Sequence, residues 1–230
     1  MTKRARIDAP RLPAQLDAAG PTAIEDDLIL SGVELTAADV VDASASEASL
    51  VEITSSRLRG VRLCGWTFER LRLADVVLDD CDLAGITLTS TTFVRVHLRN
   101  CRLSGMQAPG LRADDVLVTD AKADGVNLRM ANVTRSAFVR CELVELDVGS
   151  ATLSDVDLVR CDLSRADFHH ARLSDVALHG SSLDGVRGAA SLAGAVVGSD
   201  QLVSLALATF DAIGIVVDDD RRTLEHDDGA

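Results

Sequence analysis

The chain has 230 residues, 36 acidic against 23 basic, giving a net charge of −13 and a pI near 4.7. That acid excess argues against direct binding to nucleic acid, whose phosphates need cationic partners. No apolar run approaches membrane-spanning length, and no apolar stretch follows the basic start Met1–Arg6, so no leader is expected and a cytoplasmic protein of one elongated domain is.

Residues 1–24 carry Pro10, Pro13 and Pro21 and show no period, as a tail or a strap along the first coil would. A solenoid is predicted over 25–190. Val33-Glu34-Leu35, Ala38-Asp39-Val40, Ala43-Ser44-Ala45 and Ala48-Ser49-Leu50 share one five-residue phase. The next centre is Ile53, so the register is expected to slip between Leu50 and Ile53.

From Ile53 to Gly188 a five-residue period runs without insertion. Its 28 centres are 16 Leu, four Phe, three Val, one Ile, three Ala and one Gly, with no polar residue among them. Two positions upstream of each centre lies a second column, Val51 to Val186, that carries no charge. In an extended segment those two side chains point the same way, and the remaining residues must turn the chain. Eight glycines, from Gly60 to Gly185, stand at the last position of a five, where a corner needs a residue tolerant of positive φ. Cys81, Cys101, Cys141 and Cys161 share the upstream column at multiples of twenty, as four-sided coils require. One coil is thinner, with centres Ala108, Ala113, Val118 and Ala123; Met106 and Leu111 are expected to refill it.

Cys161-Asp162-Leu163-Ser164-Arg165, Ala166-Asp167-Phe168-His169-His170 and Ala131-Asn132-Val133 match a pattern of small residue, Asp or Asn, then an apolar centre. On these residues the chain resembles the pentapeptide-repeat family. The resemblance implies an all-β fold, a right-handed quadrilateral parallel β-helix of about eight coils. It also implies a protein that imitates duplex DNA, binds DNA gyrase or another topoisomerase, and confers fluoroquinolone resistance. Without projecting loops, the chain looks more like the mycobacterial members than the plasmid-borne ones. A general protein-interaction scaffold is the alternative function.

Beyond Gly188 the period fails, and 191–230 is expected to cap the open end and to join two copies. Ser199 to Gly214 reads as a helix, with Ser199 at its start and Gly214 at its stop. Leu202, Val203, Ala206, Leu207, Phe210 and Ile213 form one apolar stripe, with Leu205 off it. Leu202, Leu207, Phe210 and Ile213 are the expected homodimer contacts. Ile215-Val216-Val217 could add a short strand before the acidic tail from Asp218.

No catalytic, metal or cofactor motif is present, and the protein is read as non-enzymatic. His169 and His170 are adjacent and His179 lies on another side, which is not ligand spacing. The five cysteines are expected to be reduced. Charge points to a surface instead. Residues 53–112 carry a net +4 and 113–190 a net −5. Asp115, Asp155 and Asp175 share one corner column, interrupted by Arg135, and are the candidate partner-binding residues.

Overall fold

The computed structural model describes residues 6–41 and 46–215. Five short strands open the fold: β1 (Asp17–Ala18), β2 (Thr22–Ala23), β3 (Ile29–Ser31), β4 (Val33–Thr36) and β5 (Val40–Val41). Then come β6 (Glu47–Ser49), β7 (Glu52–Arg59), β8 (Thr67–Glu69), β9 (Arg72–Asp79) and β10 (Thr87–Thr89). The later coils supply β11 (Thr92–Arg99), β12 (Arg112–Thr119), β13 (Asn132–Val139), β14 (Thr152–Val159) and β15 (Arg172–Ala177). A single helix, α1 (Leu202–Ala212), follows.

Every pairing is parallel, and the whole is a β-solenoid of about eight coils. Along the main sheet β7-β9-β11-β12-β13-β14-β15 each strand pairs with the next at an offset of twenty residues, as in Leu58↔Leu78 and Phe93↔Ala113. The offset holds through the thin coil, so Ala108, Ala113, Val118 and Ala123 cause no break in the ladder. Met106 and Leu111 are buried there, and only a narrow apolar void of about 80 Å³ runs along the axis.

Both predicted inward columns form the core. Leu163, Phe168 and Leu178 are fully buried, and Trp66 stacks on Phe68 with ring centroids 5.6 Å apart. Every fifth residue from Ser55 to Gly185 has φ between 44° and 73°. Most of these corners are not glycine, and a left-handed L-residue costs roughly 1–2 kcal/mol. The ladders offset that cost. At many corners the N–H bonds a carbonyl of the next coil, as Gly60 N does to Asp79 O and Arg70 N to Thr89 O.

Polar atoms in the core column are satisfied by the backbone. Ser136 Oγ accepts from Val116 N at 3.1 Å and donates to Thr134 O at 2.8 Å. Ser181 Oγ likewise accepts from Cys161 N and donates to Leu158 O. The thiols of Cys81, Cys101, Cys141 and Cys161 lie 3.3–3.6 Å from carbonyls of the preceding coil. All five cysteines are free thiols, and only Cys64 is exposed.

The N-terminal end differs from the sequence expectation. The register slips earlier than expected: β6 pairs with β8 at an offset of twenty, which puts Ala48 opposite Phe68 as the centre. Leu50 is a corner residue instead, 46% exposed with φ 57°. Upstream, β3 and β4 pair with β7 at an offset of 23, so the three extra residues fall between Thr36 and Glu47. The expected five around Ala43-Ser44-Ala45 lies outside the described residues. Residues 17–23, assigned to the tail, already pair as β1 with β4 and β2 with β5.

The C-terminal end closes as residues 189–215 leave the period. A Cβ at Gly188 would lie 2.5 Å from the His169 backbone nitrogen, so this last centre has no room for a side chain. Leu192 is buried, Ala195, Val197 and Leu205 pack against the core, and Gln201 Nε2 donates to Leu178 O and Ser181 O. Ser199 does not cap α1. It opens a 3-10 turn, and Gln201 Oε1 accepts from Gly198 N. Gly214, at φ 76°, ends the helix as expected, with Ile215 N donating to Phe210 O. Val216, Val217 and the acidic tail lie outside the described residues.

Candidate interaction surface

The long strands β7 to β15 each bend at a left-handed residue, and these corners stack into one column: Ser55, Asp75, Arg95, Asp115, Arg135, Asp155 and Asp175. Stacked side chains sit about 4.8 Å apart, one strand spacing. Opposite charges at that distance pair across one coil. Arg95 Nε and Nη2 donate to Asp75 at 2.5 and 2.7 Å. Arg135 Nε and Nη2 donate to Asp115 at 3.1 and 2.9 Å, and Nη2 reaches Asp114 at 2.6 Å. Elsewhere on the rod Arg99–Asp79, Arg140–Asp120 and Arg165–Glu145 repeat the arrangement. Exposed pairs of this kind contribute little stability. Their effect here is to neutralise most of the rod's surface.

Of the three predicted partner-binding carboxylates, the structure leaves two on the surface. Asp155 and Asp175 carry no hydrogen bond or ion pair among the described residues, and Asp175 is exposed. Asp115 is only 4% exposed, so it is not an open binding residue. The N-terminal segment covers it: Asp8 N donates to Asp115 Oδ1 at 3.1 Å, and Arg11 N donates to Asp75 Oδ1 at 2.9 Å. Burial pushes the Asp115 carboxyl up, but the bonds from Arg135 and Asp8 more than offset it and hold the group below its usual range. Asp75 is held low chiefly by Arg95, with the Arg11 N–H adding to it and burial opposing.

The N-terminal residues form a strap over Asp8–Arg11, but it crosses coils of the main sheet from Asp115 to Asp75 and does not lie along the first coil as expected. Outward positions on this face of the main sheet are buried: Ala74 and Val77 to 6%, and Ala137 to 6%. His97, in the column of Val77, is depressed in pKa by burial first and by Arg99 second. Sequence reading missed this face. The available signal was apolar residues in columns that should face water, namely Val77, Val94, Leu117 and Ala137.

The expected dimer contacts lie on the solvent face of α1. Leu202 is 59% exposed, Leu207 52%, Ile213 64% and Phe210 37%, while Leu205, off the stripe, packs on the rod. The histidines form no ligand set. His169 Nδ1 lies 2.7 Å from Asp167 Oδ1, and among the described residues no group of three His, Cys, Asp or Glu could hold a metal ion. Among them, too, no helix is long and apolar enough to cross a membrane.

An uninterrupted parallel ladder with a five-residue phase defines a solenoid repeat protein. The model of the pentapeptide-repeat family matches eight copies, over residues 67–105 and 149–185. Over these two stretches, about a third of the chain, the sequence resembles that family, and both lie within the twenty-residue ladder. A search of the curated proteins finds no match. Among solved structures it is similar to HetL, a pentapeptide-repeat protein involved in heterocyst differentiation regulation in the cyanobacterium Nostoc. Identity is 21% over 70% of this chain and 85% of that one, with a TM-score of 0.30. It is also similar to full-length QnrB1, a plasmid-mediated fluoroquinolone resistance protein, at 19% identity over 84% and 100%, with a TM-score of 0.31. A trypsin-treated QnrB1 variant aligns at 16% identity over 87% and 99%, with a TM-score of 0.40.

Proposed function

We propose that this chain is a non-catalytic binding protein that works as a homodimer joined through α1. The two acid-rich halves then meet at the centre and imitate duplex DNA toward DNA gyrase or a related topoisomerase. The single observation that carries this reading is the α1 stripe. Leu202, Leu207, Phe210 and Ile213 stay in solvent while other residues close the rod, so the helix keeps an apolar face beyond what capping uses. The nearest part of the rod, residues 113–190, is the half with a net charge of −5. Asp155 and Asp175 lie there without a cationic partner among the described residues. The test is supercoiling by purified gyrase titrated with the protein, with and without a fluoroquinolone. Inhibition or drug protection by the wild type, lost in a monomeric variant, is the expected result.

A general protein-interaction scaffold is the second reading, favoured by the neutralised ladders Arg95–Asp75, Arg99–Asp79 and Arg140–Asp120. A dimer that leaves gyrase unaffected would leave this reading in place.

A further inference from the structure

We propose that the outer face of the main sheet between Asp75 and Asp115 is a docking groove for an extended, proline-containing, cationic peptide segment of a partner protein. Residues 7–12 of this chain fill it in cis. The inference rests on the strap alone and does not depend on the dimer or on gyrase.

The first support is a match of lengths. Asp8 and Arg11 are three residues apart, and the carboxylates they reach, Asp115 and Asp75, are two coils apart. An extended chain advances roughly 3.1–3.3 Å per residue, about 9.5 Å in three. Two coils advance about 9.6 Å. The alternation of the column therefore offers an acceptor to every third N–H of an extended chain, with a guanidinium in between. Pro10 stands between the two anchoring residues, where no N–H is required and a restricted φ favours the extended form.

The second support is the kind of contact. Both anchors are main-chain N–H groups donating to carboxylates, so they select backbone shape and not side-chain identity. Selectivity comes from the rest. Ile7, Pro10 and Leu12 are half-buried on a face whose outward residues Ala74 and Val77 are buried. Arg11 places its charge beside Asp75. The side chain of Asp8 is exposed, with its carboxylate close enough to Arg95 to help hold that guanidinium charged. Any segment with apolar residues flanking a proline, and a cation after it, meets the same requirements. The cis strap competes through its high effective concentration, which can be millimolar for a short tether.

The experiment uses the full chain and a fluorescent peptide reproducing residues 6–16. The variant Ile7→Glu/Leu12→Glu releases the strap, reported by fast trypsin cleavage after Arg11 with an unchanged circular-dichroism spectrum. A protease site placed at 14–16 of the intact protein releases it independently. The released protein is expected to bind the peptide at least about tenfold more tightly than wild type. Adding Asp75→Asn and Asp115→Asn should remove that gain, since the charge-assisted bonds are lost. A peptide with Gly for Pro10 and Glu for Leu12 should not bind. Equal binding by released and wild-type protein, or binding indifferent to the two aspartates, overturns the proposal. If Arg11 loses trypsin protection on dilution, the strap belongs to a second copy and the cis arrangement is wrong.

Discussion

The backbone N–H of Asp8 donates to Asp115 Oδ1 at 3.1 Å, although the two residues are 107 positions apart. The carboxylate also holds Arg135, so one buried acid ties the strap to the ladder. Asp75 does the same for Arg11 and Arg95. Both groups are depressed in the folded chain. Their contribution is therefore fully present above the ordinary aspartate value of about 3.9 and is lost as pH falls through the folded values. The amide resonances of Asp8 and Arg11 should hold their hydrogen-bonded shifts at pH 5 and above and lose them only below about pH 3.9. Loss of both already at pH 5 would contradict the depressed carboxylates.

Leu163→Asp should abolish soluble folding, while Asp162→Asn next to it should leave the melting temperature nearly unchanged. Leu163 is fully buried, and an unpaired charge there costs several kcal/mol, on the order of a domain's whole margin. Asp162 faces outward and accepts from Ser164 N, a bond asparagine can keep. Equal melting temperatures would refute the assignment of the two columns.

Ser136→Ala should destabilise the rod by about 1–3 kcal/mol, the cost of leaving the buried N–H of Val116 without its acceptor. Cys141→Ser should cost much less, because a hydroxyl can donate its one proton to either the Val118 or the Val139 carbonyl that the thiol now faces. Denaturant unfolding of the two variants settles the order.

Gly110 and Met130 occupy the same corner in successive coils, at φ 72° and 58°. Nothing lies within 4 Å of a Cβ built on Gly110, so Gly110→Ala meets only backbone strain and should lose about 1 kcal/mol. Met130→Gly relieves that strain at an exposed site and should be neutral or stabilising by up to about 1 kcal/mol, since the gain is partly offset by the entropy of the unfolded chain. Melting curves that move the two variants in the same direction would speak against the corner account.

Phe210→Glu should yield a folded monomer. Burying such a side chain contributes roughly 1.5–3 kcal/mol, and a twofold contact uses it twice. Light scattering read with circular dichroism decides the matter. A one-chain mass for the wild type would remove the dimer, and unfolding of the variant would make α1 chiefly a cap.

The core was legible because a period of five with two inward columns leaves one way to fold, and every centre from Ile53 to Leu183 sits where that phase puts it. The register slip was misplaced because Leu50 looks like a better core residue than Ala48. Corner geometry decided against it, and nothing in one sequence displays that geometry. The strap escaped for a different reason. Its acceptors lie 64 and 107 positions away, and a proline-rich segment bonded through its backbone carries no residue signature of its partner. Asp155 and Asp175 stay open while Asp115 does not, although one column holds all three. Sequence alone cannot say which part of the column a strap will cover.

The alternation Asp75, Arg95, Asp115, Arg135, Asp155 has a period of two coils, or forty residues. The fold itself has a period of one. A duplication or deletion of twenty residues within this region would keep every strand in register, yet it would set two like charges side by side at the junction. Only changes of forty residues preserve both patterns. From Asp75 to Asp155 the surface thus adds a two-coil preference to the one-coil period of the core, a preference that lapses at Asp175, which already follows a like charge.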